Sequence, residues 1–189
     1  MTMRAKQSYI FLAPGVEEIE AMATIDALRR ADIPVVAVAV DTTLLIKGAA
    51  GQTVLADSLL SDIDTDDADW LIVPGGVPGA PNLHSSKTVS DMLLAHFAKG
   101  RRIASICAGP AMVLAPLGIL KGKKATCYPG LGDKIEAGGG TYVEEPVVVD
   151  GHIITSEGPG TTLKFAKAII SATAGQQKAD ETMVSMLAD

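Results

Sequence analysis

An α/β fold built on a mainly parallel sheet follows from three features of the sequence. Short continuous runs of Val, Ile, Leu and Ala have the pattern of strands buried on both faces. They alternate with segments of helical periodicity, and Pro- and Gly-rich turns separate the two. Strands apolar on both faces require helices on both sides, which makes a three-layer sandwich.

The first strand is read over residues 8–13 and closes at Pro14-Gly15. A helix follows over 17–31, with Ile19, Met22, Ile25 or Asp26, and Arg29 recurring every three to four residues. Its acids stand in the first turn and Arg29-Arg30 in the last, as the helix dipole favours. Residues 34–40 form a second apolar strand. Residues 44–46 and 53–56 read as a small hairpin around Gly48 and Gly51. Residues 70–73 run as a strand into Pro74-Gly75-Gly76. A helix over 88–99 precedes a strand over 102–106, then Cys107 and a helix from about Gly109. Residues 125–128 read as a short strand. The strands 147–149 and 153–155 flank Asp150-Gly151, a two-residue hairpin signal. Ser156-Glu157-Gly158-Pro159-Gly160 opens a helix running to about Ala174, and residues 176–187 supply a last one. At this length the pattern is flavodoxin-like rather than a barrel.

The chain has 189 residues, and at roughly 100–200 residues per domain it is expected to form one domain over 1–189. A formal charge of −6 and a basic cluster limited to Lys121, Lys123 and Lys124 argue against a nucleic-acid partner. The apolar stretch 9–13 is too short for a signal-peptide core, and no apolar run approaches the roughly 18 residues of a membrane span. Two cysteines make no disulfide framework. Together these features predict a soluble, cytoplasmic protein with no membrane partner.

Ligands of open α/β sheets bind beyond the carboxyl ends of the strands. Three segments fall there: 14–20, 74–79 and 106–110. In Ile106-Cys107-Ala108-Gly109-Pro110, small residues permit a sharp strand-to-helix turn that would expose a nucleophile, and helix N-terminal amides favour a thiolate. Cys107 can equally be a small buried core residue, and both readings stand at this point. Cys127 lies within a predicted strand and is assigned to the core. Gly75 and Gly76 would bring bare amides to an oxyanion, or simply supply a tight turn. Of Glu17, Glu18 and Glu20, two are expected to be solvated and to stabilise the helix dipole. One turned inward would be a functional carboxyl group, and periodicity does not select it. His84 falls in a loop, His96 in a helix and His152 after the hairpin turn. No pair has metal-ligand spacing, so neither a metal nor another cofactor is expected.

Taken together, Ala13-Pro14-Gly15-Val16-Glu17-Glu18-Ile19-Glu20, Val73-Pro74-Gly75-Gly76, Ile106-Cys107-Ala108-Gly109-Pro110 and Gly158-Pro159-Gly160-Thr161 resemble the ThiJ/PfpI superfamily. Within it they look most like the branch of the Parkinsonism-associated protein deglycase, in order over nearly the whole chain. The resemblance implies a homodimeric flavodoxin-like sandwich in which Cys107 is the elbow nucleophile. It selects Glu20 as the carboxyl group beside the sulfur, and places Gly75, Gly76 and Ala108 around the oxyanion with Tyr128 near the substrate. It further implies a cofactor-free enzyme for small-molecule carbonyl substrates: 2-oxoaldehydes (glyoxalase III type) or their protein adducts (deglycase type). An oxidative-stress sensor or chaperone using an oxidisable Cys107 is the alternative it carries.

Three positions depart from the pattern. Ala108 stands where the protease branch has His, which removes the local base of a Cys-His peptidase. Tyr128 stands where human-type members have His, and a tyrosine hydroxyl is a poor proton shuttle at neutral pH. Ala50 aligns with an arginine that relatives use near the pocket, which weakens anion binding.

Overall fold

The computed structural model describes residues 6–188. The strands are β1 (Ser8–Leu12), β2 (Val35–Ala39), β3 (Leu45–Lys47), β4 (Thr53–Leu55), β5 (Ser58–Leu59), β6 (Trp70–Val73), β7 (Arg102–Ile106), β8 (Lys124–Ala125), β9 (Thr141–Tyr142), β10 (Val147–Asp150) and β11 (Ile153–Ser156). The α-helices are α1 (Glu18–Arg30), α2 (Gly79–Ser85), α3 (Lys87–Ala98), α4 (Gly132–Ala137), α5 (Thr162–Ala174) and α6 (Gln176–Ser185).

Seven strands form one sheet in the order β10-β11-β7-β6-β1-β2-β5. Every neighbouring pair is parallel except the β10–β11 hairpin. Helix α1 packs on α5 and α6, while α2 packs on α3 and on the segment after β7. The expected parallel flavodoxin-like sandwich is therefore observed. Its core is aliphatic, with Ile10, Leu12, Leu71, Ile72 and Ile103 at 0% exposure. Trp70 closes one end of this core. Its Nε1–H donates to Thr173 Oγ1 at 2.8 Å, and the Arg102 guanidinium lies 5.0 Å from its ring centroid.

Several expectations need correcting. Residues 125–128 are not one strand: β8 ends at Ala125, because Thr126 N–H turns to the Thr155 hydroxyl and Tyr128 N–H to Cys107 O. His84 lies in α2, a short helix whose sequence Gly-Ala-Pro-Asn-Leu-His-Ser carries too many poor helix formers to be read as one. The segment Pro110–Leu114 is a π-helix. On α1 the buried face is shifted from the predicted stripe. Ile25 is buried as predicted, but Ile19 is 57% exposed, and Glu18, Glu20, Ala21, Thr24, Ala27 and Leu28 are buried as well. Glu18 and Glu20 are drawn inward by backbone amides of distant turns, Ala50 and Gln52 for the first and Gly75 for the second, which an apolar periodicity does not register.

The sheet order determines where the site can be. Strands β7, β6 and β1 are adjacent, so their three carboxyl-end segments, far apart in sequence, meet above the centre of the sheet.

Candidate active site

The elbow is built by backbone constraint. Cys107 has φ 64°, a left-handed conformation that a side chain with a Cβ occupies only when its surroundings impose it. Here they do. Cys107 N–H donates to Ser156 O at 2.9 Å, and Cys107 O accepts from Tyr128 N–H at 2.9 Å. The turn also needs its glycines: a Cβ at Gly109 would lie 2.4 Å from Ser105 Oγ, and one at Gly75 would lie 2.6 Å from Cys107 Cβ.

The three glutamates of the 14–20 segment have three different tasks. Glu17 caps α1, with its Oε2 accepting from Glu20 N–H at 2.7 Å. Glu18 is 9% exposed and binds the turn of the β3–β4 hairpin, accepting from Ala50 N–H at 3.0 and 3.1 Å and from Gln52 N–H at 3.1 Å. Burial pushes its carboxyl up, but the amides of Ala50, Gln52 and Gly51 outweigh this and hold it below the ordinary range. Glu20 is fully buried, and its Oε2 accepts from Gly75 N–H at 2.8 Å. Two carboxylates are thus buried where one was expected. Periodicity is blind to a carboxylate that finds its partners in a distant turn.

Burial is the main reason the Glu20 carboxyl is pushed up to about 7, and the Glu17 charge adds to it. Its Oε1 is buried with no hydrogen-bond partner of ordinary geometry, so a proton there can be offered to the neighbouring sulfur. Burial, followed by the Glu20 charge beside it, pushes the Cys107 thiol up to about 12, while the amides of Gly76 and Ala108 pull it down. The two groups are coupled and titrate as a pair.

This corrects two expectations. Cys107 is only 7% exposed, so its thiol is not freely exposed, and burial pushes it up against the pull of the two amides. Gly75 is not a free oxyanion donor, because its N–H is committed to Glu20; the amides that bear on the sulfur are those of Gly76 and Ala108.

Tyr128 is half-exposed and lies beside Gly158, where a Cβ would be 3.4 Å from its ring. Its backbone ties it to the elbow. Ala50 contributes its amide to Glu18 rather than a side chain to the pocket. Cys127 is fully buried, and its thiol donates to Tyr128 O at 3.6 Å. His84 lies in α2, His96 Nε2 hydrogen-bonds Arg102 O at 3.1 Å, and the His152 ring packs on Phe97 with centroids 5.6 Å apart. Among the described residues no group of three or more His, Cys, Asp or Glu is placed to hold a metal ion, and no helix is long and apolar enough to cross a membrane.

The fold recurs in known proteins. "Toxoplasma gondii DJ-1, oxidized" superposes with a TM-score of 0.93 at 36% identity, covering 97% of this chain and 99% of that one. Drosophila melanogaster DJ-1beta gives 0.93 at 35% identity, covering 98% and 100%. The "Glutathione-independent glyoxalase DJR-1.2" of Caenorhabditis elegans is 34% identical over 183 residues, 96% of each protein. "Protein DJ-1 homolog A" of Arabidopsis thaliana is 40% identical over 187 residues; the chain spans about half of that protein, covering 48% of it. Residues 6–172 match the DJ-1/PfpI family, and the chain belongs to that family.

Proposed function

We propose that the chain is a cysteine-dependent, cofactor-free enzyme acting on small 2-oxoaldehydes or their protein adducts. The observation that carries this reading is the buried Glu20 carboxyl group, pushed up to about 7 beside a thiol that receives two backbone amides. A general acid–base group works best when it titrates near the operating pH. The C. elegans relative named a glutathione-independent glyoxalase supports the same reading.

In the proposed reaction the Cys107 sulfur adds to the aldehyde carbon and its proton passes to Glu20, giving a hemithioacetal. The Gly76 and Ala108 amides stabilise the developing oxyanion. Glu20 then moves a proton from the former aldehyde carbon to the adjacent carbonyl carbon by way of an enediol. The resulting thioester is hydrolysed by water, releasing the hydroxy acid and restoring the thiol. With methylglyoxal the product is lactate. Lactate formation by Cys107→Ser is expected to fall by about 10³-fold or more. Equal lactate from both proteins would refute the proposal.

A second reading, a redox sensor, is favoured by one feature. A protonated Glu20 is a hydrogen-bond donor beside the sulfur and suits a sulfinate oxygen. A stable gain of two oxygens on Cys107 after mild peroxide, with no aldehyde turnover, would select it. Homodimerisation is proposed as well. It is supported by the exposed Ile19, Leu45 and Leu55 on α1 and on the hairpin that Glu18 fastens to it.

A further inference from the structure

The 14–20 segment is gripped from two sides. On one side Glu17 N–H donates to Gly75 O at 3.2 Å, and a Cβ at Gly76 would lie 2.3 Å from Gly15 O and 2.5 Å from Glu17 N. On the other side lies the β3–β4 hairpin, with Gly15 N–H donating to Lys47 O at 2.7 Å and Ala49 N–H to Val16 O at 2.8 Å. The turn of that hairpin is held by one side chain, Glu18. Its carboxylate takes the Ala50 and Gln52 amides and fills the space where a Cβ at Gly48 would stand, 2.2 Å from Oε1. Two residues further along α1, Glu20 meets Gly75 N–H and the Cys107 thiol.

We propose that Glu18 is a positioning residue: by tying down the 48–52 turn it presses the 14–20 segment against the 74–76 turn, and so keeps the Glu20 carboxyl group dry and beside the Cys107 thiol. A carboxylate suits this task because it accepts several amide hydrogen bonds at once, and charge-assisted bonds are roughly twice as strong as neutral ones. Glutamine would keep one accepting oxygen and turn an NH2 group toward the remaining amide donors. The turn would then loosen, and water would reach the interior carboxyl group. The titratable groups bearing on Glu20 are Glu17 on its own helix and Cys107 from the elbow. The 74–76 turn offers it the Gly75 amide, and the charged residue of the hairpin, Lys47, is exposed.

The inference rests on the pairing of Glu20 with Cys107 and not on turnover, so its test uses no substrate and survives failure of the proposed reaction. The Glu20 side-chain carboxyl is followed by 13C NMR across pH 4–9 in the full chain, with its signal assigned through Glu20→Gln. The unaltered chain is expected to titrate near about 7. Glu18→Gln is expected to lower that midpoint by about one pH unit or more, toward the ordinary 4.5. Gly48→Ala is expected to do the same, since its Cβ displaces the Glu18 carboxylate without removing the charge. Because it leaves α1 intact, it carries the test if Glu18→Gln is unfolded by circular dichroism. A folded variant that is less stable but keeps the original midpoint would make Glu18 a merely structural residue and overturn the inference. So would an ordinary midpoint for Glu20 in the unaltered chain.

Discussion

Glu20→Gln is expected to make the protein more stable, and only on the alkaline side. An unfolded glutamate titrates at the ordinary 4.5, whereas the folded state holds its proton up to about 7. Between these values the folded chain binds more protons than the unfolded chain, so stability falls as pH rises through the window and levels off above it. At about 1.4 kcal/mol per pH unit, the fold gives up about 3 kcal/mol to keep an ionisable group at this position. Glutamine avoids that cost, and its oxygen can still accept from Gly75 N–H. The assay is urea unfolding of both proteins at pH 4.5, 6 and 8. The stability difference should be near zero at the lowest pH and approach about 3 kcal/mol in favour of Glu20→Gln at the highest, while activity is lost. A difference that does not change with pH would refute the argument that burial holds the proton on Glu20.

Gly75→Ala places a methyl group 2.6 Å from Cys107 Cβ and 2.8 Å from Glu20 Oε2. It should cost about 1–3 kcal/mol in thermal unfolding and disrupt the thiol–carboxyl pair, read as an altered pH profile of Cys107 alkylation. His96 acts in the opposite sense to Glu20. Burial, first of all, holds its imidazole below 6.5, while its ring Nε2 hydrogen-bonds Arg102 O at 3.1 Å. The unfolded chain therefore binds the extra proton first, and stability is lost as pH falls below about 6.5. His96→Gln should flatten that acid limb in unfolding curves between pH 5 and 7; an unchanged slope would refute the assignment.

The parallel sheet was legible because its strands β1, β2, β6 and β7 are apolar on both faces, a pattern few other elements share. The elbow was half legible: Ala108 and Gly109 after Cys107 permit a tight turn, but a buried core cysteine fitted the local sequence equally well until the other segments were read with it. What stayed hidden depends on distant partners. Glu18 reads as a solvated acid until the 48–52 turn is folded over it. The Gly75 amide reads as an oxyanion donor until Glu20 takes it. Half of the environment of Cys107 stayed hidden for the same reason: helix amides are visible locally, whereas the burial and neighbouring carboxyl that oppose them are tertiary. Helix α2 escaped because its residues favour turns, and it is held by packing against β1 and α3 rather than by propensity.

Among the described residues no lysine or arginine is a cause of the shift of either Glu20 or Cys107, and Ala50 brings no charge to the pocket. In the proposed reaction this asymmetry acts on traffic rather than on bond making. A neutral aldehyde enters without electrostatic penalty, but the hydroxy acid ionises as it forms and then faces a carboxyl group with no counter-ion to retain it. If the proposed reaction holds, each turnover would end with its own expulsion step, and anionic 2-oxo acids, which share the reactive carbonyl, would be turned away at entry for the same reason.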